Sequence, residues 1–215
     1  MQLQDYASAE KDLYAAIKQS RKSYAVYRTL YSALEAQGKD DEAKQVLNDA
    51  LQLSGSSEDY YNRGMIYVDL QDYTNAADML NKSYDKGYKA ALLGLGELSY
   101  TQQDYDTALT YYGKYFDEVD ISSVDASLAA KAYNQYAAVL LAKGEYEKAA
   151  QACESGLTYN DRESDAALSF NLIVSYEHLE QWEDAYNTAK TYVSKYPEDT
   201  KGQKEYQFLE SRVTQ

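Results

Sequence analysis

One short block recurs six times along the 215-residue sequence, and this repetition constrains the fold more than any other feature. Each block has an acidic or polar residue, usually followed by an aromatic residue, then two variable residues and a final Ala. Neighbouring terminal alanines are 32 to 36 residues apart, except for one interval of 41; they are Ala9, Ala43, Ala76, Ala108, Ala149 and Ala185. Such a period indicates stacked structural repeats of about 34 residues.

Two helical stripes of apolar and small residues lie between successive alanines. In residues 60–84 the first stripe is Tyr60, Gly64, Tyr67 and Val68, and the second is Tyr73, Ala76, Ala77, Leu80 and Tyr84. Spacing of three or four residues predicts α-helix. Each unit is therefore predicted to be a helical hairpin. Because a lone hairpin of this length cannot cover its own apolar faces, the hairpins are expected to stack as an α-solenoid.

Composition supports an all-α fold and excludes several classes of partner. One Pro and ten Gly are too few for the tight turns of an all-β sandwich or barrel. The formal charge of −14 repels phosphate backbones and anionic lipid headgroups, so nucleic acid is not an expected partner. The sequence has no apolar run of about 18 residues, so no segment is expected to insert directly into a membrane.

The order of residues within the units resembles the tetratricopeptide repeat. That family has a large residue, Leu-Gly and Tyr in the first helix, and Ala, an aromatic residue, Ala and Pro in and after the second. The matching positions include Tyr60, Gly64, Tyr67 and Ala76; Leu92, Leu95, Gly96, Ala108 and Tyr112; Tyr133, Ala137, Leu140 and Ala149; and Leu172, Tyr176, Ala185 and Pro197. Tyr31 and Ile173 depart from the pattern at the small position, and Arg63 replaces a Leu. The resemblance implies an α-solenoid of antiparallel hairpins in a right-handed superhelix, with about eleven or twelve helices.

The repeat register also predicts where the solenoid lies in the chain. Residues 1–197 are expected to form it, with second helices that start near positions 5, 40, 72, 104, 145 and 181. The first repeat lacks its first helix and is truncated on this interpretation. A lengthened loop is predicted near residues 117–125, and residues 198–215 are predicted to form a capping helix and tail.

No group of residues indicates catalysis, a cofactor or a metal site. The single His178 has no second ligand or nucleophile near it in the sequence, and the single Cys153 is expected to fill core space. The pair Gly94 and Gly96 lacks the third glycine and the strand of a dinucleotide site. The sequon that begins at Asn81 is too common a triplet to indicate glycosylation. The chain is therefore predicted not to be an enzyme.

The resemblance places a binding groove on the first helices, since these line the concave side in that family. The groove residues that it implies are Arg28, Ser32, Tyr61, Asn62, Met65, Leu93, Glu97, Tyr100, Asn134, Gln135, Phe170, Asn171 and Val174. Asn62, Gln135 and Asn171 occupy equivalent places, and such a row of amides can hold the backbone of an extended peptide. The apolar members are expected to form pockets between them. The alternative is that the Asn and Tyr residues only bridge neighbouring repeats.

The predicted function is that of a non-catalytic scaffold that binds a peptide or helical segment of a partner protein. Acidic residues outnumber basic ones in the groove, which favours a neutral to basic ligand. The carboxylate clamp known in the family is not expected, because Glu58 and Ser32 stand where Lys and Asn would be needed. The alternative function is an accessory or spacer domain of a larger, envelope-anchored bacterial protein. Location, cytoplasmic or extracytoplasmic through an upstream signal or lipid anchor, and oligomeric state stay open.

Overall fold

The described residues form an all-α chain. The computed structural model describes residues 3–19, 23–53 and 55–213, and within these ranges it contains twelve α-helices, one 3-10 helix at Ile121–Ser123 and no strand. The α-helices are α1 Leu3–Gln19, α2 Tyr24–Glu35, α3 Asp40–Leu51, α4 Ser57–Asp69, α5 Tyr73–Asp85, α6 Ala91–Thr101, α7 Tyr105–Glu118, α8 Ala126–Lys143, α9 Tyr146–Leu157, α10 Asp165–His178, α11 Trp182–Lys195 and α12 Thr200–Val213. The predicted fold class and number of helices are thus confirmed.

The helices form two compact units, of which the first ends at Leu98 and the second begins at Ser99. In the first unit each of α1 to α4 packs against the next helix in the chain. In the second unit the helices from α7 to α11 pack in sequence, α8 also contacts α10, and α12 packs on α11. Each unit is therefore a stack of antiparallel helical hairpins.

A left-handed residue followed by a capping residue ends the first helix of each hairpin. The residues with positive φ at this place are Gly38, Gln71, Gln103, Gly144 and Glu180. The N–H of the next residue donates to a carbonyl five residues back, as from Asp104 to Ser99 and from Glu145 to Leu140, both at 2.9 Å. These bonds satisfy carbonyls that the helix end would otherwise leave unpaired.

The terminal alanines of the repeated block are buried in five of the six units. Ala43, Ala76, Ala108, Ala149 and Ala185 have no exposed surface, because each lies where a second helix packs against its neighbours. The repeat register predicts that all six are buried, and this prediction is wrong for Ala9, which is half-exposed. Its helix α1 packs on α2, but no preceding repeat covers its other flank in the described chain.

Small residues in the first helices allow close helix packing. A Cβ atom added to Gly64 would lie 2.6 Å from Cγ of Leu80, and one added to Gly94 would lie 2.7 Å from Cδ2 of the same leucine. Gly96 and Ala137, which align with Gly64 in the repeat, are buried. The departures are accommodated differently, since Ile173 is buried in the core and Tyr31 stays half-exposed with its hydroxyl donating to Glu35.

The last helix, α12, combines a narrow apolar contact with a polar outer surface. Leu209 is fully buried in the core between α10, α11 and α12, and Gly202 packs against the ring of Tyr192. The Tyr192 hydroxyl donates to Asp199, just before the helix, at 2.6 Å. These contacts fix α12 on α11, where the sequence predicts a cap.

Candidate functional site

Every residue predicted for the groove lies on the first helix of a hairpin. In the first unit these residues are Arg28 and Ser32 on α2, Tyr61, Asn62 and Met65 on α4, and Leu93 and Glu97 on α6. In the second unit they are Tyr100 at the end of α6, Asn134 and Gln135 on α8, and Phe170, Asn171 and Val174 on α10. Their exposure differs, so the set separates into surface and core residues.

An ion pair with two hydrogen bonds, Arg28 and Asp69, joins two of these helices. Arg28 donates from Nε to Oδ2 at 2.7 Å and from its terminal nitrogen to Oδ1 at 3.0 Å, which joins α2 to α4. Burial opposes the charge of Arg28, but the bond to Asp69 and the nearby carboxylate of Glu97 outweigh it and raise the Arg28 pKa. No sequence pattern marks Asp69 as a partner, since it lies 41 residues from Arg28.

Two adjoining clefts flank this ion pair and share Tyr31 and Asp69. One of about 290 Å³ is lined by Arg28, Thr29, Tyr31, Ser32 and Asp69, and one of about 350 Å³ by Tyr31, Glu35, Asp40, Lys44, Asp69, Leu70 and Gln71. Burial, the bond to Glu35 and the surrounding carboxylates raise the pKa of Tyr31, so its phenol stays protonated. The clefts therefore present a tyrosine ring among acidic groups.

Asn62 and Tyr61 are half-buried on α4 of the first unit. The Asn62 side-chain amide donates to the carbonyl of Glu58 at 3.0 Å, which uses one of its two hydrogens. The Tyr61 ring lies 5.4 Å from the Tyr88 ring, centroid to centroid. Tyr61 also lies near enough to Arg28 to affect the arginine's pKa.

Two residues predicted to form apolar pockets belong to the core instead. Met65 is 1% exposed and Leu93 is 2% exposed, so neither can line an open groove. The reason is the close approach of α4 and α6 at Gly94, where an added Cβ atom would lie 3.1 Å from the Met65 sulfur. Because Gly94 lets α4 and α6 pack closely, the side chains of Met65 and Leu93 are buried and do not reach the surface.

In the second unit, an amide bridge joins two neighbouring first helices. The Asn171 side-chain nitrogen donates to Oδ1 of Asn134 at 3.1 Å, across α8 and α10. This is the contact that the bridging interpretation predicts for these two residues. Gln135 lies beside Asn134 on α8 and is half-buried.

Two side chains of α12, Lys201 and Glu205, contact residues of α10. The Phe170 ring packs edge-on against Tyr192, and the Lys201 ammonium lies 4.1 Å above it. Burial, together with a hydrogen bond to Glu205 and its charge, raises the pKa of Glu177 to about 7. The sequence predicts α12 only as a cap and not as a source of Lys201 and Glu205, although their four-residue spacing places them on one helix face.

Tyr100 and Val174 complete the predicted set. Tyr100 is one of three large aromatic side chains that are exposed among the described residues, and its ring lies 5.7 Å from that of Tyr105 in the second unit. Val174 is half-buried on α10. Both positions are compatible with contact to a ligand.

The remaining singled-out residues have structural surroundings. Cys153 is fully buried, and burial raises its thiol pKa to about 12. His178 is exposed and stacks on Tyr146 with ring centroids 4.1 Å apart. The Asn81 sequon lies within α5, where Ser83 is buried and donates to the carbonyl of Ser57 at 2.7 Å. A reactive thiolate is therefore not available at Cys153.

The described ranges contain neither a metal-binding cluster nor a membrane-crossing helix. Within residues 3–19, 23–53 and 55–213, no three His, Cys, Asp or Glu side chains are grouped so that they could hold a metal ion. In that same part of the chain, none of the helices combines the length and apolar character needed to cross a bilayer.

Comparison with known families identifies the repeat. Residues 61–119 and 166–199 match the tetratricopeptide repeat. No curated protein matches the sequence. These matched segments contain three of the alanine blocks that define the period, which agrees with the resemblance seen in the sequence.

Solved structures of similar fold cover most of the chain. The Cut9–Hcn1 hetero-tetramer of the APC/C aligns with a TM-score of 0.67 at 16% identity over 95% of this chain and 39% of that chain. A tetratricopeptide repeat protein from Parabacteroides merdae aligns with a TM-score of 0.65 at 19% identity, over 95% and 78% of the two chains. YrrB aligns with a TM-score of 0.55 at 20% identity, over 88% and 95%. At these identities the likeness shows the fold, and tetratricopeptide repeats are identified in the sequence itself at residues 61–119 and 166–199.

Proposed function

We propose that the chain is a non-catalytic scaffold that binds an extended segment of a partner protein on the exposed side of its first helices. Tetratricopeptide-repeat proteins are in general non-catalytic scaffolds for protein interaction. The similar structure of YrrB is described as having an unusual peptide-binding site. This precedent supports a peptide as the ligand.

The observation that carries the proposal is the cleft of about 290 Å³ beside Arg28 and Asp69. The ion pair holds α2 and α4 together, so the cleft is preorganised and little entropy is lost on binding. Tyr61 and Asn62 on α4 supply an aromatic surface and an amide that retains a second hydrogen and acceptor capacity. A peptide backbone needs donors and acceptors of this kind.

Charge in the first unit favours a neutral to basic partner. Glu35, Asp40, Asp69 and Glu97 outnumber Arg28 and Lys44 at the clefts and their margin. A net charge of −14 attracts cationic segments over a longer range. Affinity for a basic peptide should therefore fall as salt is added.

The second unit offers its own amide pair on α8 and α10. The bond between Asn171 and Asn134 occupies one hydrogen of the first amide and one lone pair of the second. The remaining capacity of both amides supports backbone recognition next to Phe170 and Val174. Bridging of helices and binding of a ligand are thus compatible roles for this pair.

The test uses a basic peptide selected from a random 12-residue phage library as the probe. We expect Asn62→Ala to weaken binding by about 5- to 30-fold, the range for one or two lost hydrogen bonds. Asn81→Ala is the matched control, because the Asn81 amide makes the same bond to the carbonyl four residues earlier but lies on a second helix. Asn171→Ala and the outward Lys148→Ala form the corresponding pair in the second unit.

Loss of affinity in Asn81→Ala equal to that in Asn62→Ala would show that the first helices do not bind the peptide. If the repeats only space other modules of a larger envelope protein, no selected peptide should depend on Asn62 or Asn171. That alternative stays a prediction.

A further inference from the structure

A cluster of one cation and two aromatic rings lies where α11 begins and α12 ends. The Arg212 guanidinium carbon is 4.6 Å from the Trp182 ring centroid and 5.4 Å from that of Phe208. We call Trp182, Phe208 and Arg212 the Arg212 cluster. Ring contacts at these distances fix the arginine by cation–π attraction and define where its donor groups are.

Arg212 differs from Arg28 in its partners. Arg28 donates two hydrogen bonds to Asp69 in a bidentate pair. Arg212 makes contacts to two rings and no ion pair with any residue of the described ranges. A guanidinium held over aromatic rings keeps its N–H edge available for the planar fork that a carboxylate accepts.

The aromatic part of the cluster is unusually open to solvent. Phe208 is 44% exposed, more than any other large hydrophobic side chain in the described part of the chain. Trp182 is half-buried beside it, and it is the single Trp of the sequence. Trp, Phe and Arg are enriched at protein interfaces, and Trp and Arg are enriched among the residues that dominate binding energy there.

The cluster stands on a rigid support. One turn further along α11, the Tyr186 ring stacks on that of Tyr206 with centroids 5.5 Å apart, and the two hydroxyls lie 3.3 Å apart. Leu209, which lies between Phe208 and Arg212 in the sequence, is buried in the core and anchors α12 there. The helices that carry the cluster are therefore held in place before any ligand arrives.

We infer that the Arg212 cluster is a second interaction surface, which binds a partner segment that carries one carboxylate beside a large apolar side chain. The carboxylate pairs with Arg212, and the apolar group covers Phe208 and Trp182. Glu183, Asp184 and Glu210 lie next to the cluster in sequence and repel a polyanion such as a nucleic acid. A single carboxylate in an otherwise neutral segment meets far less repulsion.

This surface is independent of the proposed function. The proposed peptide sites lie on α2 and α4 of the first unit and on α8 and α10 of the second, and they favour neutral to basic peptides. The Arg212 cluster lies on α11 and α12 and favours an acidic group. The two sites can therefore fail or succeed separately.

The experiment selects peptides from a random 12-residue phage library on the wild-type chain, with depletion on the Arg212→Gln variant. Selected peptides should share an Asp or Glu beside an aromatic or large aliphatic residue. Calorimetry should show that changing this acid to its amide weakens wild-type binding about tenfold, as expected for a lost charge-assisted pair. The same change should have no effect on binding to Arg212→Gln.

Three control variants test whether the effect is specific to the cluster. Arg162→Gln removes another exposed arginine of the same unit and should bind like the wild type, as should Asn81→Ala. Phe208→Ser should weaken binding of the acidic peptide and of its amide form equally. All variants must retain the parent's melting temperature. Equal losses in Arg162→Gln and Arg212→Gln, or selected peptides without the acidic residue, would overturn the inference. A wild-type dimer in sedimentation equilibrium that Arg212→Gln abolishes would identify a second copy as the occupant and would also overturn it.

Discussion

Ala9 and Ala108 occupy the same place in the repeated block, yet one is half-exposed and the other has no exposed surface. The local sequence is similar, and both residues lie in second helices. What differs is the neighbourhood: the five buried alanines lie inside stacks of hairpins, whereas Ala9 lies on the first helix of the described chain. The position in the repeat therefore determines where a residue lies in its hairpin. Whether it is buried depends on a neighbouring hairpin that packs over it.

The way the helices are held differs accordingly. The described side chains of α1 include none that is fully buried, although Leu13 and Ile17 are partly buried against the core of the first unit. A polar contact adds to this packing, with the Lys39 ammonium 2.7 Å from Glu10. Part-exposed ion pairs of this kind contribute little. Interior helices bury apolar side chains completely, which contributes more.

The largest effect should come from placing a charge at the buried position. We expect Ala108→Glu to lower the free energy of unfolding by about 3–5 kcal/mol, because it buries an unpaired carboxylate. Ala9→Glu is the same substitution at the equivalent half-exposed place and should cost less than about 1 kcal/mol. Urea denaturation followed by circular dichroism measures both, and equal costs would contradict the contrast between the two regions.

The other end of the chain adds a contact that depends on pH. Because the Glu177 pKa is raised to about 7 from 4.5, its protonated form stabilises the folded state below pH 4.5, and this contribution is lost as pH rises through 7. We expect Glu205→Gln to raise stability at pH 8 by about 1 kcal/mol, because it removes a like charge that solvent partly screens, while the burial of Glu177 is unchanged. Thermal unfolding from pH 5 to pH 8 should show a flatter profile for this variant.

The control for the pH experiment is Glu198→Gln, which removes an exposed carboxylate just before α12. It should follow the parent's pH profile. An unchanged profile in Glu205→Gln would show that the two carboxyl groups do not share a proton.

The smallest effect should come from an interior turn. Gln103 has a φ of 61°, in the left-handed region that glycine adopts more easily. Gln103→Gly should therefore stabilise the fold by about 0.5–1 kcal/mol in chemical denaturation. Gln102→Gly is the matched control, because φ is not positive there, and it should give no gain.

The sequence predicted features that depend on local pattern and failed where packing partners decide. The period located the five buried alanines and the two-helix units because the spacing of apolar residues is itself the helix signal. Glycine stands at two of these turns, Gly38 and Gly144, but Gln71, Gln103 and Glu180 adopt the same conformation without a glycine. Their conformation is imposed by the hairpin that surrounds them.

The candidate site shows the same division. Repeat equivalence placed Arg28, Tyr61 and Asn62 on first helices correctly, since that depends on register. It failed for Met65 and Leu93, because burial depends on how closely α4 and α6 approach. The bridge from Asn171 to Asn134 and the contact of Glu205 with Glu177 join distant parts of the chain, so no local pattern marks them.

Binding on the first helices can be followed by the nuclear magnetic resonance signals of two side-chain amides while the selected basic peptide is added. Asn62 and Asn81 make the same local hydrogen bond on a first and a second helix, so each reports on its own face. If the peptide binds on the first helices, the Asn62 signal shifts in proportion to the bound fraction while the Asn81 signal stays in place. A shift of Asn81 with an unchanged Asn62 would contradict binding on the first helices.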